Sequence, residues 1–354
     1  MNPNYWKDKK VFITGATGFK GAWLCLMLHK MGAEVYGYSK GVPTIPCLYQ
    51  LAQTWKTDGK YIGDTRGDIR NLDLLKKSLA ISNPSHVIHL AAQAIVREGF
   101  ANPLDTFETN IMGTANVLEA CRENPNVSTV LIVTTDKVYG EHPSIWGYRE
   151  TDPVDYADPY STSKACAELV TGCYRSTFMQ KYGKKVATAR AGNVIGGGDF
   201  AYRIVPMTME SLMKDTAPVV WDPNAARPWQ YVLDCLNGYL TLLELAETDP
   251  KTYVGAWNFG PPITECMTVG ALVDKLTALW SGGIVNWDRV GCPDQYNLNV
   301  DIRLDAQKAA VYLGWKPKFE LEDTVKAIVD WYHGYQRGEN VREICDLELM
   351  RYGL

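Results

Sequence analysis

The sequence predicts an α/β protein: a Rossmann-type, doubly wound parallel sheet with a smaller C-terminal substrate-binding unit interleaved with it. Three observations carry this. Short β-branched runs alternate with longer amphipathic stretches through the N-terminal half. A glycine-rich turn, GATGFKG, joins the first of those runs to the first helix. After residue 193 the texture changes to clusters of Gly, Pro and Trp separated by shorter helices.

Element by element, KVFITG reads as the first strand, KGAWLCLMLHKMG as a helix ending at Gly32, and EVYGYS as the second strand. SHVIHLAA and STVLIVTT are apolar on both faces, as central parallel strands are, and NIMGTANVLEACREN is the helix between them. A loop rich in Pro, Tyr and Trp follows, then a helix from near Tyr160 and the strand KVATARAG. Beyond it the clearest helices are SLMKD, VLDCLNGYLTLLELAE, MTVGALVDKLTALW and EDTVKAIVDWYHGYQRG. The expected division is a dinucleotide-binding unit over 1–193 and a second unit mainly over 194–354, with segments near 228–245 and 256–268 returning to the first sheet.

Composition narrows the class. With 354 residues, 46% hydrophobic and 21% charged, the chain has an ordinary globular mix. A net charge of −4 lacks the basic excess of a general nucleic-acid binder, so no nucleic-acid partner is expected. The apolar stretch AWLCLMLH falls far short of the roughly 20 residues that cross a bilayer. The charged opening MNPNYWKDKK is unlike an export signal, so no membrane partner and a cytoplasmic location are expected. Nine cysteines without a CxxC pair read as reduced thiols. His86 and His89 stand three apart in a strand and so face opposite sides, and no metal site is expected.

Three constellations carry chemistry. In GATGFKG, Gly15 permits a tight turn, Gly18 lets backbone amides approach a pyrophosphate, and Gly21 lets the helix pack on the strand. The positive end of the helix then faces the phosphates. The second strand ends in Tyr38, Ser39 and Lys40, with no carboxylate for a ribose. Lys40 suits a 2′-phosphate or solvent, so these residues leave NAD and NADP both open. Asp68 in RGDIR suits an adenine edge or an exposed loop.

The second constellation is Tyr160 and Lys164, one helical turn apart. A neighbouring ammonium favours phenolate, so the phenol's pKa is expected to fall toward neutral and make Tyr160 a base. The third is Thr134-Thr135-Asp136-Lys137 at the carboxyl end of STVLIVTT, the edge where open α/β sheets bind ligands. Thr135 is placed to polarise a substrate hydroxyl, and Asp136 and Lys137 to move protons at neighbouring carbons. The plainer alternative is a strand-ending turn with a solvated ion pair.

Together with HLAAQAIVRE, TNIMGTANVLEA, DPYSTSKACAELV, RAGNVIGGGDFA, ARPWQYVLDCLNGYL and LGWKPK, these residues resemble the extended short-chain dehydrogenase/reductase family, in its sugar-nucleotide dehydratase branch, over essentially the full length. Most dehydratases of that branch carry Thr-Asp-Glu. The CDP-glucose 4,6-dehydratases resemble this chain in having a lysine after the aspartate, here Lys137. The chain departs from them at Ala16, at Ala94-Ile95 and in DKVYG.

The resemblance implies dehydration of CDP-glucose to CDP-4-dehydro-6-deoxyglucose by internal hydride transfer through bound NAD, in deoxysugar and surface-polysaccharide biosynthesis. Rival chemistries on the same Tyr/Lys machinery are other sugar-nucleotide dehydratases, epimerases and decarboxylases. It also implies roles. Thr135, Asp136, Lys137, Tyr160 and Lys164 would be catalytic, with Lys137 the base and Asp136 the acid. Cofactor contacts would come from Gly15, Thr17, Gly18, Phe19 and Gly21, from Ser39, Asp68 and Ile69, from Ala91, Ala92, Gln93 and Asn110, and again from Tyr160 and Lys164. Substrate contacts would come from Gln93, Thr135, Asn193, Arg227 and Arg303, with the guanidinium of Arg227 suited to gripping two diphosphate oxygens. For Arg303 an ion pair with Asp301 or Asp305 is the plainer reading. NAD is favoured over NADP. A homodimer or homotetramer is implied through helices starting near Thr109 and Tyr160, where Ala165, Ala167, Leu169 and Val170 offer an apolar surface, core packing being the equal alternative.

Overall fold

The computed structural model describes residues 1–57, 60–61, 63–140, 146–155, 158–282, 287–290 and 302–354. Seven strands form one parallel sheet: β1 (Lys10–Thr14), β2 (Glu34–Ser39), β3 (Asp64–Arg66), β4 (His86–His89), β5 (Thr129–Val133), β6 (Lys185–Ala191) and β7 (Ala256–Phe259). Their spatial order is β7-β6-β5-β4-β1-β2-β3. The chain runs outward from β1 to one edge and then returns to build the other from β4. The carboxyl ends of β1 and β4 therefore bound the crevice at the switch point, where such sheets take ligands.

Alternation along each strand sorts side chains to two faces. Val11 and Ile13 of β1, Leu131 of β5 and Ala187 of β6 join the larger core, while Phe12, Val130 and Val186 join the smaller one. Over the larger core lie α1 (Phe19–Lys30) and, much later in the chain, α6 (Val232–Thr248); α2 (Leu72–Ser82), α3 (Gly113–Glu123) and α4 (Pro159–Thr177) cover the other face. Remaining helices are α5 (Ile204–Met213), α7 (Val269–Ser281), α8 (Leu321–Gln336) and α9 (Val341–Tyr352). No helix among the described residues is long and apolar enough to cross a membrane.

Residues 256–259 pair in register with β6, Ala256 opposite Thr188 and Phe259 opposite Ala191, so the late segment closes the sheet edge next to the site. Three elements differ from the sequence reading. The helix read as SLMKD begins seven residues earlier in sequence, at Ile204. The helix read from Asn110 is a π-helical stretch over Glu108–Met112 that passes into α3. The C-terminal helix α9 has no counterpart in the sequence reading; it is held by Asp234, wholly buried on α6, which accepts from the Lys318 and Phe319 amides at 2.8 and 3.2 Å and from the Tyr352 hydroxyl at 2.7 Å. For the apolar residues of α4 the structure separates the two readings, surface and core. Ala165 and Ala167 are core residues, because the helix turns that face inward, and Leu169 is the exposed one, at 63%.

His86 and His89 take separate partners. His86 meets the hydroxyls of Tyr5 and Ser85, at 2.9 and 2.8 Å, and His89 those of Thr14 and Thr114, at 2.6 and 3.1 Å.

Candidate functional site

The switch point is built by close backbone approach. Gly15 sits at φ +77°, and a Cβ there would stand 2.7 Å from the Ala91 nitrogen, so the turn after β1 lies directly on the turn after β4. A Cβ on Gly21 would lie 2.2 Å from the Gly15 carbonyl oxygen, so α1 starts hard against the same turn. Gly18 is the residue before α1 and no side chain caps the first turn. The amides there keep their hydrogen-bonding capacity for a ligand of negative charge. Thr17 donates its hydroxyl to the Gly41 carbonyl at 2.6 Å and its amide to Ser39 Oγ at 3.3 Å, which joins the turn to the end of β2. Phe19 packs against the larger core.

At the end of β2, Lys40 stands 3.5 Å from the Asp68 carboxylate. The Arg70 guanidinium binds that carboxylate and holds its pKa at about 2. Asp68 is therefore a fixed anion beside Lys40 and not a freely solvated loop residue. Ile69 is buried in the smaller core below it.

The loop after β4 is tied to α4 by one side chain. Asn110, 1% exposed, accepts from the Gln93 amide at 2.8 Å and donates to the Gln93 carbonyl at 2.9 Å and to Ser163 Oγ at 2.8 Å; Ser163 donates to the Tyr160 carbonyl at 2.7 Å. The π-helical stretch puts Asn110 in that position, a use of irregular helix common at functional sites. Ala91 and Ala92 lie on this loop. The Gln93 side-chain amide is spent on Thr106 and Ile95, at 2.9 and 2.6 Å.

Tyr160 and Lys164 project from the first turns of α4, whose N-cap Asp158 binds the Tyr160 and Ser161 amides at 2.8 and 3.1 Å. The Lys164 amine donates to the Val133 carbonyl, 3.1 Å, at the end of β5. Here the structure corrects the expected pKa. Burial pushes the Tyr160 phenol up to about 12, with the Thr135 hydroxyl opposing. Lys164 is pulled down to about 7 by burial and by the neighbouring Lys20 amine. An amine that is half neutral at pH 7 supplies little field to stabilise phenolate, so desolvation decides both shifts.

After β5 the chain makes a 3₁₀ turn over Asp136–Val138, in which the Thr135 hydroxyl accepts from the Lys137 amide at 3.3 Å and donates to Asp136 Oδ1 at 2.9 Å. Asp136 is 5% exposed, and burial raises its pKa against the pull of Thr135, Lys137 and Arg227. This is not a solvated ion pair. A Cβ on Gly192 would stand 2.8 Å from the Pro228 ring and 3.1 Å from the Asp136 carboxylate, which brings the RAGNV and ARPW segments to the same place. The Asn193 carbonyl accepts from the Gln230 amide at 3.0 Å. The Arg303 carbonyl accepts from the Tyr148 amide at 2.8 Å; Asp305 binds Arg149 at 3.2 Å, and Asp301 falls outside the described residues. The structure thus gathers Thr135, Asp136, Tyr160, Lys164 and Arg227 at the end of β5.

Two residues at this place escape the motif reading. Arg203, just before α5, acts electrostatically on Tyr160. Lys20, the second residue of α1, acts on Lys164 and feels Asp136. Lys20 carries a signal that could have found it: a lone charge at the start of a helix that is otherwise apolar through Leu28. Arg203 carries none.

This glycine turn, Tyr-x-x-x-Lys helix and Thr-Asp-Lys strand end agree with a comparison of the chain against known families. Residues 12–328 match the family model described as GDP-mannose 4,6 dehydratase. The chain belongs to that family. Among relatives of this GDP-mannose 4,6 dehydratase family, the CDP-glucose 4,6-dehydratase of Salmonella typhimurium is 39% identical over 357 residues, covering 98% of both chains. The solved UDP-glucose 4-epimerase of Thermus thermophilus, in complex with NAD, is 26% identical with a TM-score of 0.76, covering 92% of this chain and 99% of that one. The dTDP-glucose 4,6-dehydratase of Bacillus anthracis, also with NAD, shares the fold with a TM-score of 0.77 at 20% identity, covering 94% of this chain and 99% of that one.

Proposed function

We propose that the chain is an NAD-dependent CDP-glucose 4,6-dehydratase, forming CDP-4-dehydro-6-deoxyglucose and water. One observation carries the reading: a buried Asp136, followed by Lys137, beside Tyr160 at the ligand-binding edge of the sheet. An epimerase needs the tyrosine but has no use for an acid and a base at two further carbons. The name of the 39% identical relative supports the same reaction and the same nucleotide.

The residues fit a dinucleotide. The Gly15 turn leaves no room for a side chain, and the uncapped start of α1 offers amides to a pyrophosphate. A nicotinamide dinucleotide bound there would supply a reversible two-electron acceptor, holding the hydride of carbon 4 and giving it back at carbon 6 after water has left, with a proton returning to carbon 5. NAD is preferred to its 2′-phosphorylated form, because the fixed anion of Asp68 already offsets the Lys40 charge and would repel a second phosphate.

This chain's residues then do the following. Tyr160, oriented by the Asp158 cap, takes the proton from the hydroxyl on carbon 4 as that carbon is oxidised to a ketone; because burial keeps it a phenol, it passes its own proton on as it does so, and Lys164, pulled down to about 7, is a suited acceptor. The ketone acidifies the hydrogen on carbon 5, which Lys137 removes. Asp136, whose pKa burial raises, gives its proton to the hydroxyl leaving carbon 6. Arg227, close enough to act on Asp136, binds the diphosphate, with Asn193 and Arg303 on the sugar and nucleotide side. Met112 and Leu169, exposed at 56 and 63%, are apolar side chains that support assembly of a homodimer or homotetramer, in the cytoplasm, through the two helices that carry them.

The test is incubation of the NAD-loaded protein with CDP-, dTDP-, GDP- and UDP-glucose and measurement of product mass. Loss of one water from CDP-glucose in preference to the others is the expected result. Loss of water from another nucleotide sugar moves the substrate; isomerisation without loss of mass makes the protein an epimerase and ends the dehydratase reading.

A further inference from the structure

Lys20 is a charged residue that the fold does not use. It stands second in α1, directly after the phosphate-facing turn, on a helix whose next eight residues from Gly21 to Leu28 are all buried. Its own residue is half-buried. The amine lies 5.7 Å from the ring centroid of Tyr239, a wholly buried residue of α6, and among the described residues it has neither a hydrogen-bond nor an ion-pair partner. Every charged or titratable group that acts on it belongs to the site: Cys235 beside Tyr239 on α6, Arg203 before α5, and Asp136 after β5. In turn it acts on Lys164 of α4. Tyr239, under the amine, acts within range of both Tyr160 and Asp136. The amine therefore lies over Tyr239 and within electrostatic range of the carboxylate of Asp136 and the amine of Lys164.

A half-buried amine whose contact is an aromatic ring and no anion is costly to keep charged, and burial lowers its pKa. Such a group persists where an anion arrives during function. Of the neighbouring cations that act on the phenol side, Lys164 donates to the Val133 carbonyl and Arg203 pairs with Asp199 at 3.4 Å.

We propose that Lys20 is a further catalytic residue of the dehydration, supplying the positive charge that stabilises the enolate oxygen on carbon 4. The inference rests on the dehydratase reading above. When the carbon 5 proton is removed, its electron pair moves onto the carbon 4 oxygen. That pair returns to form the carbon 5 to carbon 6 double bond as the carbon 6 to oxygen bond breaks, Asp136 giving its proton and water leaving. Tyr160 addresses the carbon 4 oxygen from α4, and Lys20 acts from α1, within electrostatic range of Asp136 and Lys164. A preorganised charge aimed at an oxygen that becomes anionic only during reaction accelerates that step more than it strengthens binding.

The experiment uses NAD-loaded wild type, Lys20→Met and Lys20→Arg with CDP-glucose in deuterium oxide. It follows reduced-cofactor absorbance for the oxidation, deuterium at carbon 5 for the elimination, and calorimetric Kd for NAD and CDP-glucose. Lys20→Met is expected to lower kcat for water loss about 100-fold, the usual cost of one oxyanion donor. Oxidation and both Kd values stay within about threefold, and Lys20→Arg recovers at least a tenth of the lost rate. Because the amine has no structural partner, thermal stability is unchanged or raised. A methionine variant with unchanged kcat, with the loss confined to Kd, or with oxidation reduced as much as elimination overturns the inference. If Lys20→Met does not fold, Lys20→Gln takes the same measurements, and the same outcomes support or overturn the role. Wild type that forms no dehydrated product from any of the four nucleotide sugars sinks the dehydratase reading itself; wild type that does, with variants that match it, sinks only the role of Lys20.

Discussion

Two buried charge clusters flank the end of β5, and they are built on opposite principles. In one, Glu168 of α4 accepts from Thr134 at 2.6 Å, from Thr188 at 2.8 Å and from Arg190 at 3.0 Å, and Arg190 donates onward to Tyr139 at 2.8 Å. Tyr139 donates to Asn258 at 2.7 Å and Asn258 to the Tyr148 carbonyl at 2.8 Å, so β5, β6, β7 and α4 are joined in one chain of bonds. In the other cluster, one turn earlier on α4, Lys164, Tyr160, Asp136 and Lys20 carry charges or protons shifted mainly by desolvation, with few mutual bonds. The first cluster spends its charge on holding strands and helix in place. The second keeps its charge available, which is what a site that handles protons requires.

The difference predicts opposite failures for neighbouring substitutions. Tyr160→Phe removes one oxygen from the second cluster. It should lower kcat by about 10²–10⁴, the range for a lost acid-base group, with stability and CDP-glucose Kd nearly unchanged. Steady-state rates together with calorimetry and a thermal melt decide this, and a loss confined to Kd would make Tyr160 a binding residue only. Glu168→Gln lies two helical turns from Tyr160 by sequence but in the first cluster. It leaves the Arg190 guanidinium buried without its counter-charge and should cost roughly 3–5 kcal/mol of stability. The folded fraction should keep its KM. If denaturant unfolding shows less than about 1 kcal/mol lost, which is the worth of an exposed pair, the cluster is not the brace described here.

The same contrast explains what can be read from the sequence. Backbone-limited features are legible: Gly15 and Gly21 must be glycine because the structure has no room for a Cβ, so the turn, β1, α1 and β2 announce themselves. Tyr160 with Lys164 and Thr135 with Asp136 follow from helical and strand geometry once those elements are placed. Long-range partners are not legible. Nothing local marks Glu168 as the mate of Arg190, or Asp234 as the anchor of Tyr352, 118 positions away. Spacing misleads on the pKa of Tyr160 for the same reason: it gives the nearness of Lys164, but only the packing shows that both groups are buried and that the amine is bonded to Val133. Lys20 sits in plain view inside the glycine motif, whose glycines explain the segment without it.

His29 offers the smallest test and the sharpest one for the rule that an unsatisfied buried group belongs to the site. It lies on α1 like Lys20, at 7% exposure, and neither ring nitrogen has a hydrogen-bond partner, in contrast to His86 and His89. Burial, helped by Arg342, pulls its pKa down to about 3. The folded state therefore holds the ring neutral while the unfolded chain takes up a proton below its ordinary value near 6.5, so protonation adds no penalty to folding above that pH and an increasing one as pH falls toward 3. His29→Leu should raise stability by about 1 kcal/mol at pH 7, by removing two unpaired polar atoms. It should also flatten the acid limb of the stability curve by about one proton over that window. Denaturation curves at pH 7 and at pH 5 measure both. kcat should not move, because none of the groups that act on His29 belongs to the cluster of Tyr160 and Asp136. If kcat falls as well, being unpartnered is enough to mark a functional residue on α1; if it holds, what singles out Lys20 is the company of Asp136, Arg203 and Lys164.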